Sequence, residues 1–466
     1  MLSSNPVLVP APRPIVAPTV AVATTPAPAR LASDPAEFNP LRKFAVFFGL
    51  IYLIVKISYV TEAVQFLTGI KLYLVPLTLT PAVLFVLASG GLARVFRLRP
   101  TILWILFVLW MAVCIPSSHW PGGSFDRVYG YIRYELAAIL IPAGAFIVWK
   151  DMRRYCYAMA ITAFGVLFTV YFCSKMGQDG RLTLAFAGSI GNSNDLAAIL
   201  LMLAPYLIYC IIDPKVFSFL RILCFGALGY SGYVILGSAS RGAFLSVAAG
   251  FLFWLWKSSS RQRISALVLV PLLAIPVVVL LPSATFARIF SAVGEKHLEA
   301  EMSGDARSHL FWQSVRFTFE HPIFGVGPEQ FTAYEAHISK QEGRRGAWHA
   351  THCSWTQVSS EEGLPALFFY ATAIFSAGFL GLRVLRRARQ LGNTEVANVA
   401  FCFLLSMVMY FTCITFLSNA YSSVQPMIIS ASIALYFIGN RALDETNKNE
   451  RPVALPLGSF PVRSFA

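Results

Sequence analysis

The chain has 466 residues, 56% of them apolar and 13% charged, with a formal net charge of +14 and a mean hydropathy of +0.63. Soluble domains carry about twice that charged fraction, so the composition excludes a soluble globular protein and predicts an all-α polytopic membrane protein. The basic excess is spread through short connections and does not cluster on one accessible face, as polyanion binding requires, so no nucleic-acid partner is expected.

Residues 1–43 open the chain, with nine prolines in the first 40 residues. Such a segment buries too little apolar surface to fold and is read as a disordered cytoplasmic tail. It also lacks the charged start and cleavage pattern of a signal peptide. A membrane span needs about 20 mostly apolar residues. By that measure residues 44–282 hold nine spans, near 44–60, 70–90, 100–117, 134–149, 155–174, 195–212, 217–237, 242–256 and 264–282. A long polar segment, 283–363, follows. Three further spans lie near 364–382, 397–417 and 422–440, and a polar tail covers 441–466. The expected total is about 12 transmembrane helices.

Lys and Arg in short connections set orientation. With the N-terminus inside, fifteen basic residues fall in inner loops, from Arg94 and Lys150 to Arg383 and Arg389, against five in the short outer loops. Both termini are therefore expected in the cytoplasm, with segment 283–363 as one large outer loop carrying short helices. The eight cysteines show no CxxC pattern or metal-ligand spacing. No Walker loop or dinucleotide fingerprint is present, so no cofactor is expected. The outer loops hold no Asp-x-Asp and no His/Asp/Glu cluster at ligand spacing, so no metal is expected either.

The outer segments supply the candidate chemistry. His352 lies just ahead of the tenth span, in His352-Cys-Ser-Trp-Thr-Gln-Val-Ser-Ser-Glu-Glu-Gly-Leu-Pro365. An imidazole can accept a proton near neutral pH; His349, three residues earlier, is a rival base. Glu361 and Glu362 either complement the positive end of the next helix or orient the histidine. Arg241, in Ser238-Ala-Ser-Arg-Gly-Ala243, sits at the outer side against the charge bias, where a guanidinium suits bidentate phosphate binding. Arg307 and Arg316 flank an amphipathic stretch with Leu310, Phe311 and Val315 at helical spacing, expected to lie along the membrane surface. Either arginine could equally be a solvated face residue.

Gly325 and Gly327, in His321-Pro-Ile-Phe-Gly-Val-Gly-Pro-Glu-Gln-Phe331, imply a tight turn or a close backbone approach to a ligand. Asn192 and Asn194, in Gly191-Asn-Ser-Asn-Asp-Leu-Ala197, either cap the sixth span or aim its N-terminus at a pyrophosphate. Lys71, Arg133 and Arg181 add positive charge at the same face.

Taken in order, Gly191–Ala197, Ser240-Arg-Gly-Ala243, the Arg307–Trp312 helix, His321–Phe331 and His352…Glu361-x-Gly363-Leu-Pro resemble the O-antigen ligase and O-antigen polymerase superfamily. The likeness spans about residues 190–370. It implies an enzyme that moves a glycan from an undecaprenyl-diphosphate carrier onto an acceptor hydroxyl at the periplasmic face of the bacterial inner membrane. Implied acceptors are lipid A–core, another lipid-linked glycan, or protein. Within the resemblance, His352 matches the family's essential histidine, Arg241 its membrane-edge arginine and Arg307 its loop arginine. The arginines would stabilise the leaving diphosphate, and His352 would deprotonate or orient the acceptor. A polymerase of the same superfamily is the near alternative. A glycan or solute transporter is the alternative in another class, disfavoured because the candidate polar residues gather at one face, whereas transporters place theirs near the midplane.

Overall fold

The structure, a computed structural model, describes residues 39–177, 181–186, 192–258, 263, 298–343 and 349–450. The expected N-terminal tail up to residue 38, the span at 264–282, the first part of the expected outer loop at 283–297 and residues 451–466 lie outside the described residues.

Sixteen α-helices follow one another through the described chain. They are α1 Pro40–Ser58, α2 Val60–Thr68, α3 Leu74–Ala88, α4 Gly91–Val95, α5 Arg99–Val113, α6 Pro121–Tyr134, α7 Ile141–Ala145, α8 Trp149–Cys173, α9 Ser193–Ile212, α10 Ser218–Gly237, α11 Arg241–Lys257, α12 Leu298–Glu320, α13 Phe331–Gln341, α14 Ser354–Gln390, α15 Thr394–Ile414 and α16 Val424–Glu450. A two-stranded hairpin, β1 Ser174–Met176 with β2 Leu182–Leu184, joins α8 to α9 in antiparallel register. The all-α membrane class is what the apolar composition predicts.

Twelve spans are not what the described residues contain. Six helices are long and apolar enough to cross a bilayer, namely α8, α9, α10, α14, α15 and α16, and the pair α1–α2, bent by 59° at Tyr59, would make a seventh. The others fall short for physical reasons. α3 and α5 have 15 residues each and α11 has 17; at 1.5 Å per residue they reach about 23–26 Å, less than a hydrocarbon core of about 30 Å.

The apolar stretch expected as a span at 134–149 is broken. Leu136–Leu140 forms a 3₁₀ turn, α7 adds five residues, and Phe146 turns extended. Irregular backbone in an apolar setting persists only when its polar groups find partners in protein. Here Arg94 Nε donates to Gly144 O at 3.1 Å, and Ala143 N–H donates to Ser430 Oγ at 2.8 Å. At the chain's end, α16 runs to Glu450, so the expected polar tail from 441 begins as helix.

α9 is the helix with protein on every side. Asn192 caps it, accepting from Asn194 N–H at 2.8 Å and Asp195 N–H at 3.2 Å, and α8, α10, α11 and α15 pack around it. It is apolar on all faces, as a fully enclosed helix should be. By contrast α10 turns Phe219, Ile222, Phe225 and Tyr233 outward, the face a bilayer would solvate. All eight cysteines are buried and free, packing as small apolar groups.

α14 is broken at Gly363, whose φ of 81° and ψ of 179° leave the helical region. The segment His321–Gln330 docks into that break. Val326 N–H donates to Ser360 O at 2.9 Å, Gly327 N–H to Glu361 O at 2.8 Å, and Leu364 N–H to Pro322 O at 2.8 Å. Trp110 Nε1 satisfies Glu362 O at 2.9 Å. Carbonyls freed by the break thus all find donors, and the first two turns of α14 are held as a separate short helix beside the turn Thr415–Ser423.

Candidate active site

His352 sits immediately before α14 in a left-handed conformation, φ 55°. A non-glycine residue there costs about 1–2 kcal/mol and must be held. Its N–H donates to Ser418 Oγ at 2.7 Å, and Thr351 Oγ1 bridges Ser418 Oγ at 3.0 Å and Cys353 O at 3.0 Å. At the first residue of α14, Ser354 Oγ donates to Leu417 O at 2.7 Å and accepts from Asn419 N–H at 3.0 Å. Trp355 Nε1 donates to Thr415 Oγ1 at 3.0 Å. The turn after α15 therefore grips the histidine's backbone residue by residue.

The imidazole is half-buried. Burial lowers its pKa from 6.5 to about 4, with Arg307 and then His349 adding to the shift. His352 is accordingly neutral at pH 7, with the Arg307 and His349 charges acting on it through space. The start of α11 reaches the same turn, because a Cβ on Gly242 would meet Phe416 Cβ at 3.0 Å. Arg241, the first residue of α11, thus opens beside Phe416, two positions before the serine that holds His352. Arg241 is exposed.

On one side of this turn lies a polar cavity of about 320 Å³. Ser418, Asn419 and Tyr421 line it from the turn, Gln357 from α14, Lys56 from α1, Arg127 from α6, Asp195 from α9, and Glu135 and Glu329 from connecting segments. Lys56 pairs with Glu135 at 3.0 Å and Arg127 with Glu329 at 3.5 Å, while the Arg127 guanidinium lies 4.8 Å from the centre of the Tyr421 ring. On the other side is an apolar groove of about 740 Å³ between α11, α14 and α15, lined by Trp355, Trp256, Phe375, Phe379, Phe411 and Phe416 among others. Ser418 borders the cavity and Phe416 the groove, so the turn that holds the His352 backbone has one residue on each.

The remaining sequence candidates divide. Asn192 spends its side chain on the α9 cap, and Asn194 is buried behind it; the neighbour that reaches the cavity is Asp195. Gly325 and Gly327 do make close approaches, but to the chain itself. A Cβ on Gly325 would lie 2.3 Å from the Glu361 carbonyl carbon, and one on Gly327 2.0 Å from Ser118 Oγ. Glu361 does not orient His352. Its Oε2 accepts from Glu329 N–H at 2.9 Å and from the Tyr421 hydroxyl, nine residues along the chain from the histidine.

Arg316 is engaged by Glu320 at 2.7 Å and Glu342 at 3.0 Å. Lys71 stacks over Tyr73 and Arg133 over Tyr134, while Arg181 is buried at the start of β2; none of the three lines the cavity or the groove. The helix expected along the membrane surface is α12, which buries Leu310 against Phe317, Val326 and Phe331 and turns Phe311 and Trp312 outward. Among the described residues no three His, Cys, Asp or Glu side chains converge as a metal site would require.

Sequence reasoning missed the polar turn Ser418-Asn-Ala-Tyr-Ser-Ser423 and the charges Lys56, Arg127, Glu135 and Glu329. The turn carried a signal: five polar-tipped side chains in six residues between two apolar spans.

Comparison with known families bears on the same residues. Residues 226–371 match the O-antigen ligase family. That stretch runs from α10 past the Gly363 break and holds Arg241, Arg307 and His352, so the resemblance to the O-antigen ligase and polymerase superfamily is shown. The match supports a glycosyltransferase-type membrane enzyme of the ligase or polymerase type. No curated protein matches the chain.

Proposed function

We propose that the protein transfers a glycan from undecaprenyl diphosphate to an acceptor hydroxyl at the periplasmic face of the bacterial inner membrane, without a metal ion. The observation that supports this reading is the hold on the His352 backbone by Ser418, which lines the polar cavity, in a turn whose Phe416 lines the apolar groove, with Arg307 acting on the half-buried imidazole. An isoprenoid chain suits the groove. Its diphosphate would then lie at the groove's His352 end, where Arg241 opens α11 and Arg307 stands near the imidazole.

The chemistry follows from that placement. An acceptor hydroxyl attacks the anomeric carbon of the donor sugar, the C–O bond to the diphosphate breaks, and the configuration inverts. His352 takes the hydroxyl proton. The leaving diphosphate gains negative charge, which Arg241 and Arg307 stabilise in a site partly shielded from water. The polar cavity, with three carboxylates against two cations, is unsuited to a diphosphate and suited to sugar hydroxyls.

The test is radiolabelled lipid-linked glycan supplied to purified protein in vesicles with lipid A–core or a second lipid-linked glycan. Label joined covalently to the acceptor is expected, and it persists in EDTA. Label that only crosses the bilayer would make the protein a transporter. Product on lipid A–core marks a ligase, and lengthened lipid-linked glycan a polymerase.

A further inference from the structure

α1 contributes Lys56 to the polar cavity at its C-terminal end; a second, separate cleft lies at its N-terminal end, about 21 Å away along the helix axis at 1.5 Å per residue. This cleft, of about 770 Å³, runs between α1 and α8. Its mouth carries Arg42, Lys43, Lys150 and Arg154, with Asp151 as the one carboxylate in the lining. Below the mouth the walls are Phe47, Leu50 and Ile54 from α1 and Ala158 and Ile161 from α8. Phe47 and Ile161 are more than half exposed, so the cleft opens sideways toward whatever surrounds the helices.

Asp151, whose Oδ1 also lies 3.6 Å from Arg154 Nη1, offsets one of the four positive charges at the mouth. Its Oδ2 already accepts from Arg42 Nη1 at 2.5 Å and from Ile147 and Val148 N–H at 3.2 and 3.4 Å, closing the start of α8. Arg42 itself is 6% exposed, and its Nε is buried with no hydrogen-bond partner. An orphaned guanidinium N–H at that depth calls for an acceptor that the described chain does not supply. Three more cations surround it, and an apolar trough descends beneath. Basic pockets between helices at the cytoplasmic side are suited to anionic lipid headgroups.

We propose that this cleft binds an anionic glycerophospholipid of the surrounding membrane. Its phosphate lies within the ring of Arg42, Lys43, Lys150 and Arg154, and an acyl chain lies along Leu50, Ile54 and Ala158. Phosphate alone would leave the trough to water, and a zwitterionic lipid would bring its own cation against the mouth.

Native mass spectrometry of the full chain in detergent, titrated with phosphatidylglycerol, phosphatidylcholine or a polyprenyl phosphate, tests this. Phosphatidylglycerol is expected to fill one site at least tenfold more tightly than the other two. The exposed triple variant Lys43→Gln/Lys150→Gln/Arg154→Gln should weaken that binding at least tenfold. Leu50→Trp, which keeps every charge and fills the trough, should weaken it likewise. Equal binding of phosphatidylcholine, tighter binding of the polyprenyl phosphate, or both variants within twofold of the parent would overturn the assignment.

Discussion

The His352 N–H donates to Ser418 Oγ at 2.7 Å, and that one bond ties a left-handed histidine to the rim of the polar cavity. Ser418→Ala removes the acceptor and leaves the φ of 55° with one support fewer. A net hydrogen bond contributes about 1 kcal/mol, so the variant should fold while losing about tenfold in turnover. Ser418→Thr keeps the oxygen and should stay within about threefold of the parent, as measured by initial rates of glycan transfer.

The acidity of His352 sets the pH response. Its folded pKa of about 4 lies below its ordinary 6.5, so lowering the pH favours the unfolded chain, which takes up the proton more readily. The stability contributed by the neutral imidazole is present above about 6.5 and is lost as pH falls toward 4. In catalysis, kcat/KM reports the free enzyme. Its acid limb should fall near pH 4 and not near 6.5, and in His352→Ala that limb should vanish.

The glycine at the helix break is a structural requirement. Gly363 has φ 81° and ψ 179°, and a Cβ there would lie 2.2 Å from Ile323 O. That backbone region is essentially reserved for glycine. Gly363→Ala should cost at least about 2 kcal/mol, seen as a lowered thermal midpoint in detergent or as failure to accumulate.

Two arginines of the same helix separate function from surface. Arg316 is held by Glu320 and Glu342 on an exposed face, where ion pairs contribute about 0–1 kcal/mol. Arg307 acts on His352. Arg316→Ala should leave the transfer rate within about twofold. Arg307→Ala should lower it about a hundredfold or more, the scale of losing one charge-stabilising donor.

What the sequence made legible was chemistry attached to a local pattern. His352 ahead of an apolar run and the Asn192 cap were readable because neighbours in sequence decide them. The polar cavity was not, since Lys56, Arg127, Glu135, Asp195 and Glu329 come from five segments that each look like ordinary flanking charge. Twelve spans exceed the six or seven that the described residues contain, for a related reason. Residues 134–149 have the composition of a span, yet their broken backbone depends on Arg94 and Ser430, 50 and 287 residues away from the groups they satisfy. The glycines at 325 and 327 announced a close approach correctly, while its partner, the Glu361 backbone and Ser118, was set by the tertiary fold.

The central claim is that His352 accepts the acceptor's proton while Arg241 and Arg307 hold the departing diphosphate. The measurement that reaches it is single-turnover transfer of labelled glycan by the parent and by His352→Ala, both folded in the same vesicles and loaded with donor. The account predicts unchanged donor binding and a transfer rate about a thousandfold lower, as loss of a general base entails. Transfer by His352→Ala at a rate within about threefold of the parent would contradict it.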